Sequence, residues 1–374
     1  MGTSSAALDA VLVRKRLTRL REAAGHAGAS ATVVTPGSDL RYLLGVAGSS
    51  FERLTCLVVP TDGGAPVFVS PALEYAGLAG LGLEALGIEV RTWVDGEDPY
   101  ALALAGTALD RVAVSDLTPA LHAFRLREAG AAHQVLAGPI LRELRMRKDR
   151  AELEQLRLAG AAIDRVHARV AEWLRPGRTE AEVGADIAAA IVEEGHATAD
   201  FVIVASGPNA ASPHHSLSDR VIERGELVVV DIGGPLPSGY NSDSTRTYAA
   251  GLAPARDVAT AYATLQAAQE AAVEAVRPGV TCEAVDEAAR AVLRVAGLDR
   301  FFIHRTGHGI GLDVHEEPYV VAGNDLPLEP GMTFSVEPGV YVPGEWGARI
   351  EDIVAVTDSG AERVNNRPRD LIVV

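Results

Sequence analysis

Residues 175–183 read RPGRTEAEV and residues 277–285 read RPGVTCEAV, and the two segments agree at five of nine positions. Each follows a stretch with helical apolar periodicity, and each places a Pro-Gly pair where that helix would end. Thr179 and Glu182 fit a capping box for a following helix, and Thr281 stands where Thr179 stands in the first copy. The repeat therefore predicts two related helix pairs.

Each predicted helix pair leads into a short apolar segment, FVIVAS at 201–206 and FFIH at 301–304. We interpret both segments as strands. Two helix-helix-strand units related by a pseudo-two-fold duplication would place a curved sheet beneath the helices, with a cleft on its other face. The alternative is that two Pro-Gly helix ends coincide by chance.

The chain of 374 residues exceeds the size at which one hydrophobic core usually stops growing, so two domains are expected. The N-terminal part has an α/β pattern, and a charged helical stretch, LRELRMRKDRAELEQ at 141–155, indicates a junction. We predict domains at 1–145 and 146–374. The segments behind the N-terminal pattern are helices at 11–25 and 72–82 and strands at 31–35, 56–60 and 65–70.

Composition excludes several classes of function. The formal net charge of -16 disfavours nucleic acid as a partner. Cys56 and Cys282 form no CxxC pattern, which fits a reducing cytoplasm. The order of residues at the N-terminus is not that of a signal peptide, and no apolar run approaches the ~20 residues that a membrane span needs.

Four acids stand in or beside apolar, strand-like segments. Asp231 ends LVVVDIGG, Asp243 lies in YNSDSTRTY, Glu337 follows MTFSV, and Glu351 lies in the middle of ARIEDIVAV. A carboxylate removed from water costs several kcal/mol unless a cation compensates it. Taken singly, an Asp after a strand is an ordinary turn residue. Similarly, Glu351 alone could pair with a nearby arginine such as Arg349 or Arg246.

The string HRTGHGIGLDVHEEP at 304–318 spaces His304, His308 and His315 by four and seven residues. Because its glycines have no side chains, we expect them to leave room for an ion or substrate to approach His308. The string is not GxGxxG, and nothing in it indicates a phosphate-binding loop. Four acids with one histidine suit a pair of divalent ions such as Mn²⁺, Co²⁺ or Zn²⁺.

The strings DIG, SDSTRT, GHG, EPG and RIED resemble the signature of the pita-bread metallopeptidases, the family of methionine aminopeptidase, aminopeptidase P and prolidase. The resemblance implies a creatinase-like α/β N-terminal domain followed by an α+β pita-bread catalytic domain. It also implies two bound divalent metal ions, with Mn²⁺ preferred and Co²⁺ or Zn²⁺ as alternatives. The implied ligands are Asp231, Asp243, His308, Glu337 and Glu351.

The N-terminal domain and the matches at His214, His304 and His315 resemble the proline-directed branch, and most of all the proline dipeptidases of the mycobacterial type. The resemblance implies that Glu337 moves the proton, that His315 steadies the oxyanion, and that His214 and His304 line the substrate side. Arg349 would offer its guanidinium to the substrate's carboxylate. Homodimerisation is implied by the family alone.

The expected activity is hydrolysis of a small peptide with proline at its second position, as an Xaa-Pro dipeptidase. Tyr319 stands where similar prolidases often carry an arginine, and a phenol cannot supply that charge. Aminopeptidase P, which accepts longer chains, is therefore the alternative. A creatinase-like enzyme or a silent binding protein on this fold would carry a broken ligand set, whereas all five ligand positions are filled here.

Overall fold

The computed structural model describes residues 9–46 and 52–374. The chain divides into two compact units, Met1–Arg145 and Met146–Val374. Residues 1–8 and 47–51 of the predicted N-terminal domain lie outside the described residues.

The N-terminal unit is an α/β unit built on one mixed sheet of six strands in the order β4-β3-β2-β1-β5-β6. Its strands are β1 (Ala31–Val34), β2 (Cys56–Pro60), β3 (Val67–Pro71), β4 (Glu89–Trp93), β5 (Val112–Val114) and β6 (Gln134–Leu136). Its helices are α1 (Ala10–His26), α2 (Ser38–Leu44), α3 (Ala72–Tyr75), α4 (Pro99–Leu104), α5 (Ala120–Glu128) and α6 (Gly138–Arg145). The three strands expected between residues 31 and 70 are confirmed.

Two helix predictions near this unit need correction. The segment 72–82 holds only the short helix α3, which ends at Tyr75, and a 3₁₀ turn over Ala79–Leu81, which Gly82 ends with a φ of 64°. The charged stretch 141–155 forms two helices rather than one. α6 ends at Arg145, and Asp149 caps a new helix by accepting hydrogen bonds from the backbone N–H groups of Ala151 and Glu152.

The C-terminal unit is α+β. Its helices are α7 (Arg150–Trp173), α8 (Glu180–Glu193), α9 (Arg256–Ala275) and α10 (Cys282–Val295). Its strands are β7 (Phe201–Ser206), β8 (Leu227–Pro235), β9 (Asn241–Ala249), β10 (Gly307–Gly309), β11 (Glu316–Val320), β12 (Thr333–Val336), β13 (Gly339–Val342), β14 (Trp346–Arg349), β15 (Asp352–Val356), β16 (Ala361–Arg363) and β17 (Ile372–Val373).

Two sheets organise this unit, one of four strands in the order β17-β9-β8-β7 and one of five in the order β11-β10-β12-β15-β16, with β13 and β14 pairing as a hairpin. The apolar face of α7 and α8 packs on the four-stranded sheet, and α9 and α10 pack on the second half. Each helix pair therefore covers its own group of strands. This is the architecture that the resemblance implied.

The two Pro-Gly segments make matching contacts. Thr179 and Glu182 form the predicted capping box of α8, and Thr281 caps α10. The Gly177 N–H donates to the Ile222 carbonyl at 2.9 Å, and the Gly279 N–H donates to the Leu328 carbonyl at 2.9 Å. These equivalent hydrogen bonds support the duplication, which stays a prediction.

The expected strand FFIH is wrong. Phe301 ends a 3₁₀ turn, and the first strand after α10 is β10. The guanidinium of Arg290 donates to the carbonyls of Phe302 and His304 at 3.3 and 2.6 Å. Among the described residues, no backbone N–H of a neighbouring strand donates to these two carbonyls.

Two acids lie elsewhere along their strands than expected. β8 does not end at Asp231 but continues to Pro235, because Gly233 and Gly234 let neighbouring backbone pass where a Cβ atom would clash. Glu351 does not lie within a strand. It occupies the break between β14 and β15, where its N–H donates to the Thr245 carbonyl at 3.1 Å.

No helix among the described residues is both long enough and apolar enough to cross a membrane.

Candidate active site

Asp231 and Asp243 come from adjacent antiparallel strands. In the register of β8 and β9, Asp231 pairs with Thr245 and Gly233 pairs with Asp243. The two acids are therefore diagonal neighbours on one face of the sheet. Both are buried, with 8% and 5% of their surface exposed.

His308 presents one ring nitrogen to these acids. Its Nδ1 lies 3.1 Å from the Gly309 carbonyl oxygen, which can only accept, so Nδ1 carries a hydrogen and Nε2 is the nitrogen that faces the acids. Nε2 lies 3.6 Å from Asp243 Oδ2 and 3.2 Å from Glu337 Oε1. Once Nε2 gives up its proton, an imidazole held in this way is oriented as a metal ligand.

The glycines around His308 act differently from the expectation. A Cβ atom at Gly307 would clash with the backbone of Ser335 in β12, and one at Gly309 would clash with the backbone of Glu317 in β11. They admit neighbouring strands, not an ion or substrate. Close strand packing is thus what fixes the backbone of His308.

Glu337 and Glu351 complete the cluster. Glu337 follows β12, and its Oε1 accepts a hydrogen bond from the Ser335 hydroxyl at 2.9 Å. The Oε2 atom of Glu351 accepts from the Thr245 hydroxyl at 2.8 Å. One ligand atom each from Asp243, His308 and Glu351 lie within 4.8 Å of one another.

The electrostatics of the cluster call for a cation. Burial, and then the charge of Asp231, raises the pKa of Asp243 well above its usual range. Burial, and then the charge of Asp243, does the same to the pKa of Glu351. Like charges in one buried site cannot all be ionised without compensation. Either protons or metal ions must supply it.

Glu337 and His308 form the ionised part of the cluster. Burial alone would raise the pKa of Glu337, but the hydrogen bond and charge of His308 lower it to about 2. Burial opposes the charged imidazole, yet Glu337 and Asp243 raise the pKa of His308 to about 9. The pair therefore shows how strongly a positive charge is stabilised at this point.

The donor set fits divalent metal ions. Oδ1 of Asp231 is buried and has no hydrogen-bond partner among the described residues, while Oδ2 is bound by Arg349. An orphaned carboxylate oxygen beside a cluster of hard oxygen donors and one imidazole is the chemistry expected of a ligand. All five predicted ligands lie on this cluster and line one cavity.

Arg349 does not point its guanidinium at free space. It is 3% exposed and donates to Asp231 Oδ2 at 2.5 Å, the Tyr341 hydroxyl at 2.7 Å, the Thr245 hydroxyl at 3.1 Å and the Pro213 carbonyl at 3.3 Å. The role expected for Arg349, binding a substrate's carboxylate, stays a prediction. The contacts show that Arg349 also holds Oδ2 of Asp231, one of the predicted ligands.

The cluster forms the base of a cavity of about 980 Å³. The predicted residues His214, His304, His315 and Arg349 line it, together with the apolar side chains of Phe201, Ile203, Ile303 and Val314. The rings of His315 and His308 are 4.1 Å apart between centroids. Burial, and then the charge of His308, lowers the pKa of His315 to about 4, so this ring is neutral at pH 7.

Tyr319 is not among the residues that line this cavity within the described part of the chain. Its ring instead supports Arg305, whose guanidinium carbon lies 4.5 Å from the ring centroid. Arg305 does line the cavity, and its charge helps to lower the pKa of His315.

Arg305 and Tyr341 are two polar residues at the site that the sequence analysis did not single out. Arg305 lies inside the quoted histidine string and could have been found there. Tyr341 carried no signal, because GVYV at 339–342 has the composition of an ordinary core strand. Its hydroxyl lies 2.9 Å from Nε2 of His304 and accepts from Arg349.

Buried carboxylates and an imidazole at the base of a peptide-sized cavity define a metal-dependent hydrolase. Comparison with known proteins agrees: residues 154–358 match metallopeptidase family M24, and residues 16–147 match the creatinase/prolidase N-terminal domain. The chain belongs to the M24 metallopeptidases. The predicted family and its two-part fold are confirmed.

Individual relatives are similar over nearly the whole chain. A probable dipeptidase PepE of Mycobacterium tuberculosis is 58% identical over 98% of both chains. An Xaa-Pro dipeptidase of Lactobacillus helveticus is 35% identical over 90% of this chain and 92% of that protein. The crystal structure of dipeptidase PepE from Mycobacterium ulcerans superposes with a TM-score of 0.94 at 57% identity, covering 99% of this chain and all 100% of that one.

Proposed function

We propose that the protein is a dinuclear metal-dependent Xaa-Pro dipeptidase, with Mn²⁺ as the preferred ion and Co²⁺ or Zn²⁺ as alternatives. The observation that carries the proposal is the buried group of Asp243, His308 and Glu351 at the base of the cavity. Asp231 and Glu337 extend this group to five ligands. The name of the Lactobacillus helveticus relative, an Xaa-Pro dipeptidase, supports this substrate class, and the name of the mycobacterial relative supports a dipeptide substrate.

The five ligands would hold the two ions. Bound divalent ions polarise the scissile carbonyl and lower the pKa of water. Three of these ligands are oriented by a hydrogen bond from a neighbouring side chain: Glu337 by Ser335, Glu351 by Thr245, and Asp231 by Arg349.

Glu337 is the proposed proton carrier. Its Oε1 accepts a hydrogen bond from the Ser335 hydroxyl, and in the proposed step its carboxylate would take a proton from water and pass it to the leaving nitrogen. His315 is the proposed oxyanion donor. Its pKa of about 4 keeps the ring neutral. One ring N–H can then donate to the oxyanion of the tetrahedral intermediate, and the imidazole need not be protonated beforehand.

Recognition of proline rests on shape. Proline offers no backbone N–H to a donor-dependent site, and its ring is apolar, so apolar contact is the interaction by which a site can select it. Phe201, Ile203 and Ile303 offer such contact on the cavity wall, beside the imidazoles of His214 and His304.

We assign the substrate's free carboxylate to Arg305, not to Arg349 or Tyr319. Arg349 is buried against Asp231, whereas the guanidinium of Arg305 forms no ion pair with any acid in the described part of the chain. The Tyr319 ring holds Arg305 at the cavity wall by a cation–π contact. A dipeptide could therefore pair its terminal carboxylate with Arg305.

Aminopeptidase P activity is the second candidate. A cavity of about 980 Å³ lies at the upper end of the range for small-molecule sites, and so offers more room than a dipeptide fills. A longer peptide could extend into that space. The charge of Arg305 favours the shorter substrate.

The deciding experiment compares kcat/KM for Ala-Pro, Ala-Pro amide, Ala-Pro-Pro and Ala-Ala with the Mn²⁺-loaded protein. We expect Ala-Pro to be best and EDTA to abolish turnover. Equal or faster cleavage of Ala-Pro-Pro would indicate an aminopeptidase P. Preference for Ala-Ala would contradict proline specificity itself.

The proposal includes a cytoplasmic homodimer. Its support is the family resemblance and the presence of only two cysteines. Sedimentation of the purified chain checks the dimer.

A further inference from the structure

One buried carboxylate outside the cluster of predicted metal ligands, that of Glu180, forms hydrogen bonds with several residues of a single loop. Glu180, the first residue of α8, is fully buried. Its Oε1 accepts from the backbone N–H and hydroxyl of Ser206, at 2.7 and 2.8 Å, and its Oε2 accepts from the Ser218 hydroxyl at 2.5 Å. The Asn209 amide lies 3.1 Å from both oxygens, and Nε2 of His215 lies 2.7 Å from Oε2.

These contacts make Glu180 an ionised anchor. Burial alone would raise its pKa, but the hydrogen bonds from Ser218 and Ser206 outweigh burial and lower this pKa below its usual range. The position at the start of α8 adds the favourable field of the helix N-terminus. Because an ionised carboxylate only accepts, His215 must carry its hydrogen on Nε2.

The segment held by Glu180 runs from Ser206 to Ser218 and carries His214, whose side chain lines the cavity. Both neighbours of His214 are fixed from opposite sides. The Pro213 carbonyl accepts from Arg349 at 3.3 Å, and His215 donates to Glu180 at 2.7 Å. His214 itself is exposed to the cavity and near enough for its charge to lower the pKa of His304 and His315.

We propose that Glu180 is a positioning residue for substrate binding: its carboxylate, through His215, sets the place of His214 in the cavity. It touches neither the metal cluster nor the cavity itself within the described chain. The proposal rests on the proposed peptidase function only for its kinetic readout, and the anchor can be tested without substrate.

The first test measures the loop directly. Hydrogen exchange followed by mass spectrometry compares the wild-type protein with Glu180→Gln and His215→Ala. We expect faster exchange confined to peptides covering 206–218 in both variants. Glu193→Gln, at the exposed far end of α8, and His133→Ala, at an exposed site in the other unit, are matched controls and should exchange like the wild type.

The second test measures what the loop does. In Mn²⁺-loaded protein, both variants should raise KM for Ala-Pro about tenfold, the effect of losing one hydrogen bond to a charged group, while kcat and metal content change little. A purely structural role would lower the active fraction, and hence the apparent kcat, at unchanged KM. Glu180→Asp, which keeps the charge, should recover part of the loss.

The outcomes are separable. Unchanged exchange in 206–218 for both variants would overturn the anchor. Faster exchange with unchanged KM would overturn the role in positioning. A wild-type protein that does not cleave Ala-Pro would contradict the proposed function and leave the exchange result standing as the test of the anchor.

Discussion

Arg349 binds Asp231 through one carboxylate oxygen and leaves the other without a partner. Nη2 of Arg349 donates to Oδ2 at 2.5 Å, whereas the buried Oδ1 has no hydrogen-bond partner among the described residues. The Tyr341 hydroxyl, itself beside His304, holds the other side of the guanidinium. Arg349 therefore aims one oxygen of Asp231 into the cluster.

This relationship predicts the effect of Arg349→Met. We expect metal affinity to fall about 10- to 100-fold, the usual effect of losing a residue that orients a ligand. The ratio of KM values for Ala-Pro and Ala-Pro amide should not change, because we assign the substrate's carboxylate to Arg305. Titration with Mn²⁺ followed by calorimetry measures the first effect. A rise in KM for Ala-Pro without a rise in KM for Ala-Pro amide would show that Arg349 binds the substrate's carboxylate.

Neutralising one cluster acid should have opposite effects on the metal-free and metal-loaded protein. Asp243→Asn and Glu351→Gln each remove a charge whose burial beside like charges is unfavourable. At pH 8 in EDTA, both variants should therefore melt at or above the temperature of the wild type. Mn²⁺ should raise the melting temperature of the wild type, because an ion that binds the folded state stabilises it. The rise should be much smaller for the variants, because they bind the ion less well.

The same two variants should hold less than two equivalents of metal and lose turnover by orders of magnitude, since the proposed chemistry needs both ions. Mass spectrometry of metal content and an Ala-Pro assay are the measurements. Two full equivalents with a normal rate would show that neither acid is a ligand.

His315→Ala should lower kcat about 10²- to 10³-fold, the usual loss for one oxyanion donor, with metal content intact. The reason is its neutral ring 4.1 Å from that of His308. His26→Ala, at an exposed site in the N-terminal unit, is the control. Metal loss in the His315 variant would identify it as a ligand instead.

The buried environment of His167 predicts that the stability of the folded protein decreases in acid. It is buried, with its ring nitrogens 3.0 Å from the Tyr248 hydroxyl and 3.1 Å from the Ser244 carbonyl, and burial lowers its pKa from 6.5 to about 3. Below pH 6.5 the unfolded chain binds a proton that the folded chain does not, so stability falls as pH drops from 6.5 towards 3.

His167→Gln should flatten that pH dependence by a few kcal/mol across the window, although other buried groups leave some slope. Urea unfolding at several pH values, with EDTA throughout to remove any metal effect, measures it. An identical slope in variant and wild type would contradict the assignment.

The sequence motifs pointed to five residues that the structure brings to one cavity, and their role as metal ligands stays a prediction. These residues could be located because an acid in an apolar, strand-like segment is unfavourable without a cation, as at Asp231, and because the surrounding motifs resemble those of a known family. The strand ends could not, because β8 continues past Asp231 only where two glycines admit other backbone. Only a three-dimensional view reveals that Glu351 sits between two strands.

Supporting residues were harder to find, because their partners are remote in sequence. Arg349 meets Asp231 across 118 residues, and Glu180 reaches Ser206 across 26 and Ser218 across 38. A polar residue looks ordinary in sequence until its partner is known. The contact between Arg349 and Asp231 could not be foreseen for this reason.

Arg305 supplies the last and most specific prediction, that it selects substrates ending in a free carboxylate directly after proline. Arg305→Gln should raise KM for Ala-Pro about 10- to 100-fold, since a hydrogen bond to a charged group contributes about 1.5–3 kcal/mol. KM for Ala-Pro amide, which has no charge at that end, should change little. Arg300→Gln is the matched control, because Arg300 also lies over an aromatic ring, that of Phe301, but outside the cavity lining. Tyr319→Leu should give a smaller loss in the same direction, because it removes the ring that holds the guanidinium 4.5 Å away but leaves the charge. Equal losses on both substrates would mean that Arg305 acts through His315, whose pKa its charge helps to lower, and not through the substrate.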